Sequence, residues 1–190
     1  MSIKVDTHLD CKGLACPMPI MKTKKEMEAL QSGQVLEIEA TDKGSTADLQ
    51  SWANNVGHQY IGTKQEGTVL KHYVRKAHHK EMNEAVQYPH TITNEELQEK
   101  LLAEEECIVL DVREEAEFAF GHIPEAISMP LGELEGASAM LSPMKPIYVV
   151  CRTGSRSDLA CQLLEKKGFS NVKNVIPGML QWQGSMEKND

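Results

Sequence analysis

The chain has 190 residues, 41% of them hydrophobic, and carries a net charge of −8 at pH 7. That length suits one large or two small domains, no apolar run approaches the ~18 residues a membrane span needs, and an acidic chain is a poor match for phosphate backbones, so neither a membrane nor a nucleic-acid partner is expected. Charge is divided unevenly: residues 1–76 hold ten Lys/Arg against nine Asp/Glu, and residues 77–190 hold ten against nineteen, which points to two differently composed halves.

Ile3 to Leu9 alternates in the manner of a strand, with Ile3, Val5, Thr7 and Leu9 on one face. A helix is predicted from Pro17 to Gln31, with Ser32-Gly33 as its stop. Proline is tolerated in a first helical turn, where its missing N–H has no intrahelical partner anyway. Cys16 therefore falls at or next to the N-cap, where the helix dipole stabilises a thiolate. Lys22, Lys24 and Lys25 add positive charge along the same helix, and Met18, Met21 and Met27 read as its apolar side. A strand follows at Val35–Ala40, then a helix from Ser45 to Gly57. A hairpin pairs His58 to Gln65 with Thr68 to Lys76 around Glu66-Gly67. The periodicity then vanishes, and residues 77–89 read as a linker.

In the second half strand and helix signals alternate, which predicts a parallel α/β sheet. Thr93-Asn94-Glu95-Glu96 is a capping box opening a helix to about Glu105. Strands are expected at Cys107–Asp111, Ala126–Met129, Ile147–Val150 and Asn171–Ile176. Helices are expected at Glu114–Phe120, Ser157–Gly168 and Met179–Gln183. Leu159, Leu163 and Leu164 would give the middle one of these its apolar face.

The strongest chemical signal is Cys151-Arg152-Thr153-Gly154-Ser155-Arg156, placed directly after the apolar run Ile147–Val150. A buried strand, a short glycine-containing loop and a helix bring backbone N–H groups to one point beside a helix N-terminus, where an anion is favoured. With cysteine in first position, that anion can be the cysteine's own thiolate or a sulfur carried on it. Helix N-termini and nearby arginines depress thiol pKa values to roughly 3.5–7.5. The expected site is therefore Cys151, with Arg152, Thr153, Gly154, Ser155 and Arg156 binding the substrate. Arg156 has a second reading, a structural ion pair with Asp158 or Glu114. Asp111, Arg113 and Glu117 read as an ion-pair network at strand ends. Four residues separate Cys151 from Arg156, where a cysteine-dependent phosphatase has five, and the smaller loop suits a terminal sulfur better than a phosphate.

These features resemble known families. The six-residue loop resembles the active loop of a single-domain rhodanese, a sulfurtransferase that cycles through a cysteine persulfide. The likeness runs from about Thr91 to Gly184 through Leu110-Asp111-Val112-Arg113-Glu114, Gly121-His122-Ile123-Pro124-Glu125 and Gly178-Met179-Leu180-Gln181-Trp182. At the other end, Cys16-Pro17-Met18-Pro19-Ile20-Met21-Lys22 resembles sulfur carriers of the TusA and SirA type over residues 3–76. The resemblance implies a β-α-β-α-β-β sandwich with Cys16 as sulfur acceptor, set by Pro17, Pro19 and Lys22. Cys11 departs from that pattern; it reads either as a small loop residue or as a thiol that resolves a Cys16 persulfide.

The resulting expectation is an α/β protein of two domains: a two-layer sandwich over 1–76, a linker over 77–89 and a rhodanese-like parallel-sheet domain over 90–190. The implied function is a sulfurtransferase moving sulfane sulfur through Cys151 to Cys16, from a small sulfane-sulfur donor to a protein or thiol acceptor. The alternative is a non-catalytic persulfide carrier or sensor with two independent domains. Neither the His78-His79 pair nor Cys11/Cys16 has the spacing of a structural zinc site, so no metal and no other cofactor is expected. Five cysteines form no even disulfide framework, and no secretory signal is visible at the N-terminus. Free thiols and the absence of such a signal predict a cytoplasmic location. Cys107 and Cys161 read as core residues.

Overall fold

The computed structural model describes residues 3–77 and 86–189, and the chain divides into two compact units, Ser2–His79 and Lys80–Asp190. The first unit runs β1 (Thr7–Cys11), α1 (Met18–Ala29), β2 (Val35–Ala40), α2 (Ser45–Val56), β3 (Gln59–Glu66) and β4 (Val69–Arg75). Its sheet has the order β1-β2-β4-β3. The β1–β2 pair is parallel, as an intervening helix requires, and the other pairs are antiparallel. Both helices cover one face, where Cys11, Leu36, Ile38, Leu49, Ala53 and Val74 form the core with Met27 and Leu30. The β-α-β-α-β-β order and the two layers are those expected from the sequence.

Helix α1 differs from expectation in its orientation. Pro19, Thr23 and Met27, four apart, form its buried row, while Met18 and Met21 face solvent at 44% and 60% exposure. The last turn of α1 contains no basic residue. Lys76 supplies the charge from the end of β4, donating from Nζ to the carbonyls of Met27 (2.7 Å) and Leu30 (2.6 Å), which have no intrahelical donor.

The second unit runs β5 (Thr91–Thr93), α3 (Asn94–Leu102), β6 (Ile108–Asp111), α4 (Glu115–Phe120), β7 (Ile127–Ser128), α5 (Leu134–Ala137), β8 (Ile147–Val150), α6 (Ser155–Lys166) and β9 (Val172–Ile176), with short 3₁₀ turns at Ser138–Met140 and Met179–Gln181. Its five-stranded sheet, β5-β9-β8-β6-β7, is parallel throughout. Strand alternation divides the core into two. Ile147 and Val149 pack with Leu110, Ala160 and Leu164 on one face, and Tyr148 and Val150 pack with Ile92, Leu97 and Val175 on the other. Cys151 continues the first set, so its side chain lies on the face covered by α6.

Several local expectations are corrected. The edge strand β5 and helix α5, three and four residues long, are too short to show a period in the sequence. The Met179–Gln183 helix is a 3₁₀ turn. Helix α6 begins at Ser155 rather than Ser157, and its buried side is Arg156, Ser157, Ala160, Cys161 and Leu164; Leu159 is turned to solvent. The linker reading falls mostly on residues 78–85, with His78-His79, outside the described residues. Beyond them, Tyr88 is buried in the core of the second unit, and the N–H groups of Gln87 and Tyr88 donate to Asp158 Oδ1 at 2.9 and 2.7 Å. Those residues belong to the folded unit. No helix among the described residues is long and apolar enough to cross a membrane.

Candidate functional site

Strand β8 ends at Val150, and the chain turns through Cys151–Gly154 into α6. Gly154 takes φ +95°, ψ −12°, a left-handed conformation that costs a residue with a Cβ. This turn directs the Gly154 N–H at Cys151 Sγ, 3.1 Å away. Ser157 Oγ lies 3.2 Å from the same sulfur. The thiol is completely buried and lies beside the start of α6, accepting from the N–H of its N-cap residue, Gly154. Of the backbone N–H groups expected to converge here, Gly154 alone meets the sulfur among the described residues, and the second donor is a side-chain hydroxyl.

The rest of the loop is held from behind. The N–H groups of Met179 and Leu180 donate to the Cys151 and Arg152 carbonyls at 2.8 and 2.9 Å. Gly178 makes that approach possible: its φ is +87°, and a Cβ there would stand 2.5 Å from the Cys151 carbonyl oxygen. Asn94 donates to the Gly178 carbonyl at 3.0 Å, tying in the start of α3.

The two loop arginines behave differently. Arg156 is buried and makes a bidentate pair with Glu117 of α4, at 2.7 and 2.9 Å. Glu114 lies farther off, at 3.9 Å. The structure therefore gives Arg156 the structural alternative foreseen for it, with Glu117 rather than Asp158 or Glu114 as main partner. It fastens the loop's helix to α4, as planar two-point pairing does well. Asp111 and Arg113 form a separate buried pair, and Arg113 also donates to the Gly121 carbonyl at 2.7 Å. Arg152 is half-buried, and its guanidinium has no carboxylate partner among the described residues. Of the pair, it is the cation still available to an incoming anion. Thr153 and Ser155 are also half-buried, their hydroxyls 3.3 Å apart.

Cys16 stands one residue ahead of Pro17, the N-cap of α1, and is exposed. The nearby Asp48 carboxylate of α2, able to accept from the thiol, together with slight desolvation and the charge of Asp42, pushes the thiol above its ordinary range. This direction is opposite to the thiolate stabilisation expected from the helix dipole: a full negative charge nearby outweighs the partial charge of a helix end. Cys11, at the end of β1, is buried in the core, and that burial pushes its thiol up as well. The packed environment fits a small core residue and leaves no exposed thiol for resolving a Cys16 persulfide.

Comparison with known proteins agrees with this division. The sequence matches the Sulfurtransferase TusA family over residues 7–76 and the Rhodanese-like domain family over residues 93–185. It is 46% identical over 185 residues to YrkF of Bacillus subtilis, named as a candidate sulfur carrier, with 97% of this chain and 100% of that protein covered. The chain belongs to the family that joins a TusA domain to a rhodanese-like domain. Its TusA domain is also 40% identical over 72 residues to the sulfur carrier protein TusA of Allochromatium vinosum, covering 38% of this chain and 95% of that one. Its rhodanese-like domain is similar to the crystal structure of a rhodanese-like domain protein from Staphylococcus aureus, with a TM-score of 0.50 at 31% identity, over 53% of this chain and 99% of that one. Membership places the chain among sulfur carriers and sulfurtransferases.

Within the rhodanese-like domain, three contributors to the site carry little signal in the sequence. Ser157 lies only six positions beyond Cys151, but serine in a helix carries no special signal. Asn174 comes from β9: its Oδ1 accepts from Ser157 Oγ at 2.6 Å and its Nδ2 donates to the Gly154 carbonyl at 3.0 Å. Gly178 was noted for resemblance alone; a glycine after proline gave a sequence-level hint of a turn, but not of its contact with Cys151.

Proposed function

We propose that the protein is a sulfurtransferase in which Cys151 takes sulfane sulfur from a small donor such as thiosulfate, a polysulfide or a small-molecule persulfide, and passes it to Cys16. The observation that carries this reading is the buried sulfur of Cys151, facing the Gly154 N–H and the Ser157 hydroxyl at the start of α6. The Cys151 thiolate attacks the outer sulfur of the donor. The S–S bond of the donor breaks, its remainder leaves with the electron pair (sulfite in the case of thiosulfate), and Cys151–S–S⁻ remains. Such covalent catalysis divides one transfer into two easier steps. Arg152, the loop cation with no carboxylate partner among the described residues, draws in the anionic donor. The loop residues Thr153, Gly154 and Ser155 line the anion's position, and Arg156 holds their geometry through Glu117.

In the second step the Cys16 thiolate attacks the outer sulfur of the Cys151 persulfide. Cys151 leaves as thiolate, and Cys16–S–S⁻ delivers sulfur to a protein or small-thiol acceptor. Exposure of Cys16 suits delivery to a docking partner, and covalent linkage of the domains makes the second exchange an intramolecular one. Five unpaired cysteines suit a reducing compartment, the cytoplasm.

The test is intact-protein mass spectrometry with peptide mapping after treatment with thiosulfate or polysulfide, on the parent protein, Cys151→Ser and Cys16→Ser. Sulfur on Cys16 that requires Cys151 supports the relay. Equal loading of Cys16 in Cys151→Ser replaces it with two independent carriers. Absence of added sulfur on both cysteines overturns the reading.

A further inference from the structure

The hydroxyl of Ser157 is within hydrogen-bond distance of two atoms that both want its proton. Cys151 Sγ is 3.2 Å away and Asn174 Oδ1 2.6 Å. A hydroxyl has a single proton to give. The orientation of the Asn174 amide is fixed by its other contact: the Gly154 carbonyl, 3.0 Å away, can only accept, so the amide nitrogen faces it and the amide oxygen faces Ser157. All three side chains are completely buried, away from bulk water. Asn174 is held in place from its own strand as well, its N–H donating to the His90 carbonyl at 2.9 Å.

We propose that Ser157 and Asn174 form a proton switch on Cys151, with Ser157 as the group that stabilises its thiolate and Asn174 as the positioning residue that competes for the serine's proton. This deepens the proposed function and rests on its assignment of Cys151 as the sulfur-accepting thiol. In the resting thiol, the Cys151 S–H donates to Ser157 Oγ, and the Ser157 O–H donates to Asn174 Oδ1. When Cys151 loses its proton to a base in solution, the Ser157 hydroxyl rotates and donates to the sulfur anion instead. Asn174 gives up that bond but retains the Gly154 carbonyl, so the loop keeps its shape. No bond other than S–H is broken and no electrons change hands. The same rotation serves both transfer steps, because Cys151 is a thiolate when it attacks the donor and again when its persulfide gives up the outer sulfur. A backbone N–H donor such as that of Gly154 cannot turn away; a hydroxyl shared between two acceptors can stabilise each protonation state in turn.

The switch predicts opposite effects from two residues in contact. The measurement is the rate of iodoacetamide alkylation at Cys151 across pH, followed by peptide mass spectrometry in the full chain carrying Cys16→Ser. The midpoint of the profile reports the Cys151 thiol, whereas a loosened loop alters the plateau. Ser157→Ala should raise the midpoint by about one pH unit, as expected on losing a hydrogen bond to a charged group, and Ser157→Thr should restore it. Asn174→Leu should lower the midpoint, since the serine's proton is then free for the sulfur, and should have no effect when added to Ser157→Ala. A midpoint unmoved by Ser157→Ala, or moved in the same direction by both substitutions, overturns the switch; the Ser157 comparison decides alone if Asn174→Leu does not fold. These shifts in a protein that never loads sulfur would sustain the switch and overturn the sulfurtransferase reading, so the two failures are distinguishable.

Discussion

Cys151 and Cys16 both precede a helix, yet the first is wholly buried with two donors at its sulfur, and the second is exposed beside a carboxylate. The shared position at a helix start therefore does not set the chemistry. What differs is the second layer: β9, α4 and the Gly178 turn close around Cys151, whereas α2 presents Asp48 to Cys16. A sulfur held inside the protein has its electrostatics fixed by the fold before any donor arrives. An exposed thiol with a carboxylate neighbour stays protonated until something displaces or neutralises that charge, which suits a carrier whose reactivity is raised by its partner.

The largest predicted effect concerns the buried ion pair of the second unit. Arg156→Ala removes the bidentate partner of buried Glu117, and stability measured by chemical denaturation should fall by about 3–5 kcal/mol. Arg156→Met with Glu117→Leu should recover much of that loss, because replacing both charges removes the burial penalty too. Persulfide formation at Cys151 should fail in the single variant, while Cys16 alkylates as in the parent.

In the first unit, which also buries Glu37 and Arg75, a neutral cluster forms around His72. His72 Nε2 lies 2.9 Å from Ser45 Oγ, and its Nδ1 lies 2.8 Å from the Tyr60 hydroxyl. Burial lowers the His72 pKa from 6.5 to about 4. The unfolded chain thus binds the proton more readily, so this contribution to stability is full above about pH 6.5 and is lost as pH falls toward about 4. The loss approaches about 3 kcal/mol at the rate of about 1.4 kcal/mol per unit. Denaturation of the parent from pH 7 to pH 4, compared with His72→Leu, should show that slope only in the parent.

Smaller effects sharpen the contrast at the thiols themselves. Arg152→Ala should raise the apparent KM for thiosulfate roughly tenfold, a loss of about 1.4 kcal/mol, with the melting temperature unchanged; an equal loss of stability would mean that Arg152 is structural like Arg156. Asp48→Asn should lower the Cys16 thiol pKa and speed its alkylation at neutral pH without altering Cys151. An unchanged rate would remove the carboxylate from the account of Cys16.

Much of the fold was legible because its cues are local. Strand β2 runs Val35–Ala40 as read, and the capping box at Thr93 is present with both of its hydrogen bonds. Short elements such as β5 and α5 left no period to detect. The Met18–Met21 side of α1 was misjudged because hydrophobic character alone does not say which row packs; Pro19, Thr23 and Met27 do. Arg156 shows the same limit at the site. Its charge and spacing were plain, but choosing between a sulfur anion and Glu117 required knowing what α4 brings beside it.

By itself the sequence determined the two-unit order, the strand–loop–helix around Cys151 and the proline-led helix start after Cys16, since these depend on residues adjacent along the chain. Only the tertiary structure decided which loop arginine pairs with Glu117, that Asp48 lies near Cys16, and that Asn174, seventeen positions downstream of Ser157, accepts its hydrogen bond. Those are contacts between side chains on different elements, and strand order and helix facing, not sequence spacing, determine which groups come within hydrogen-bond reach.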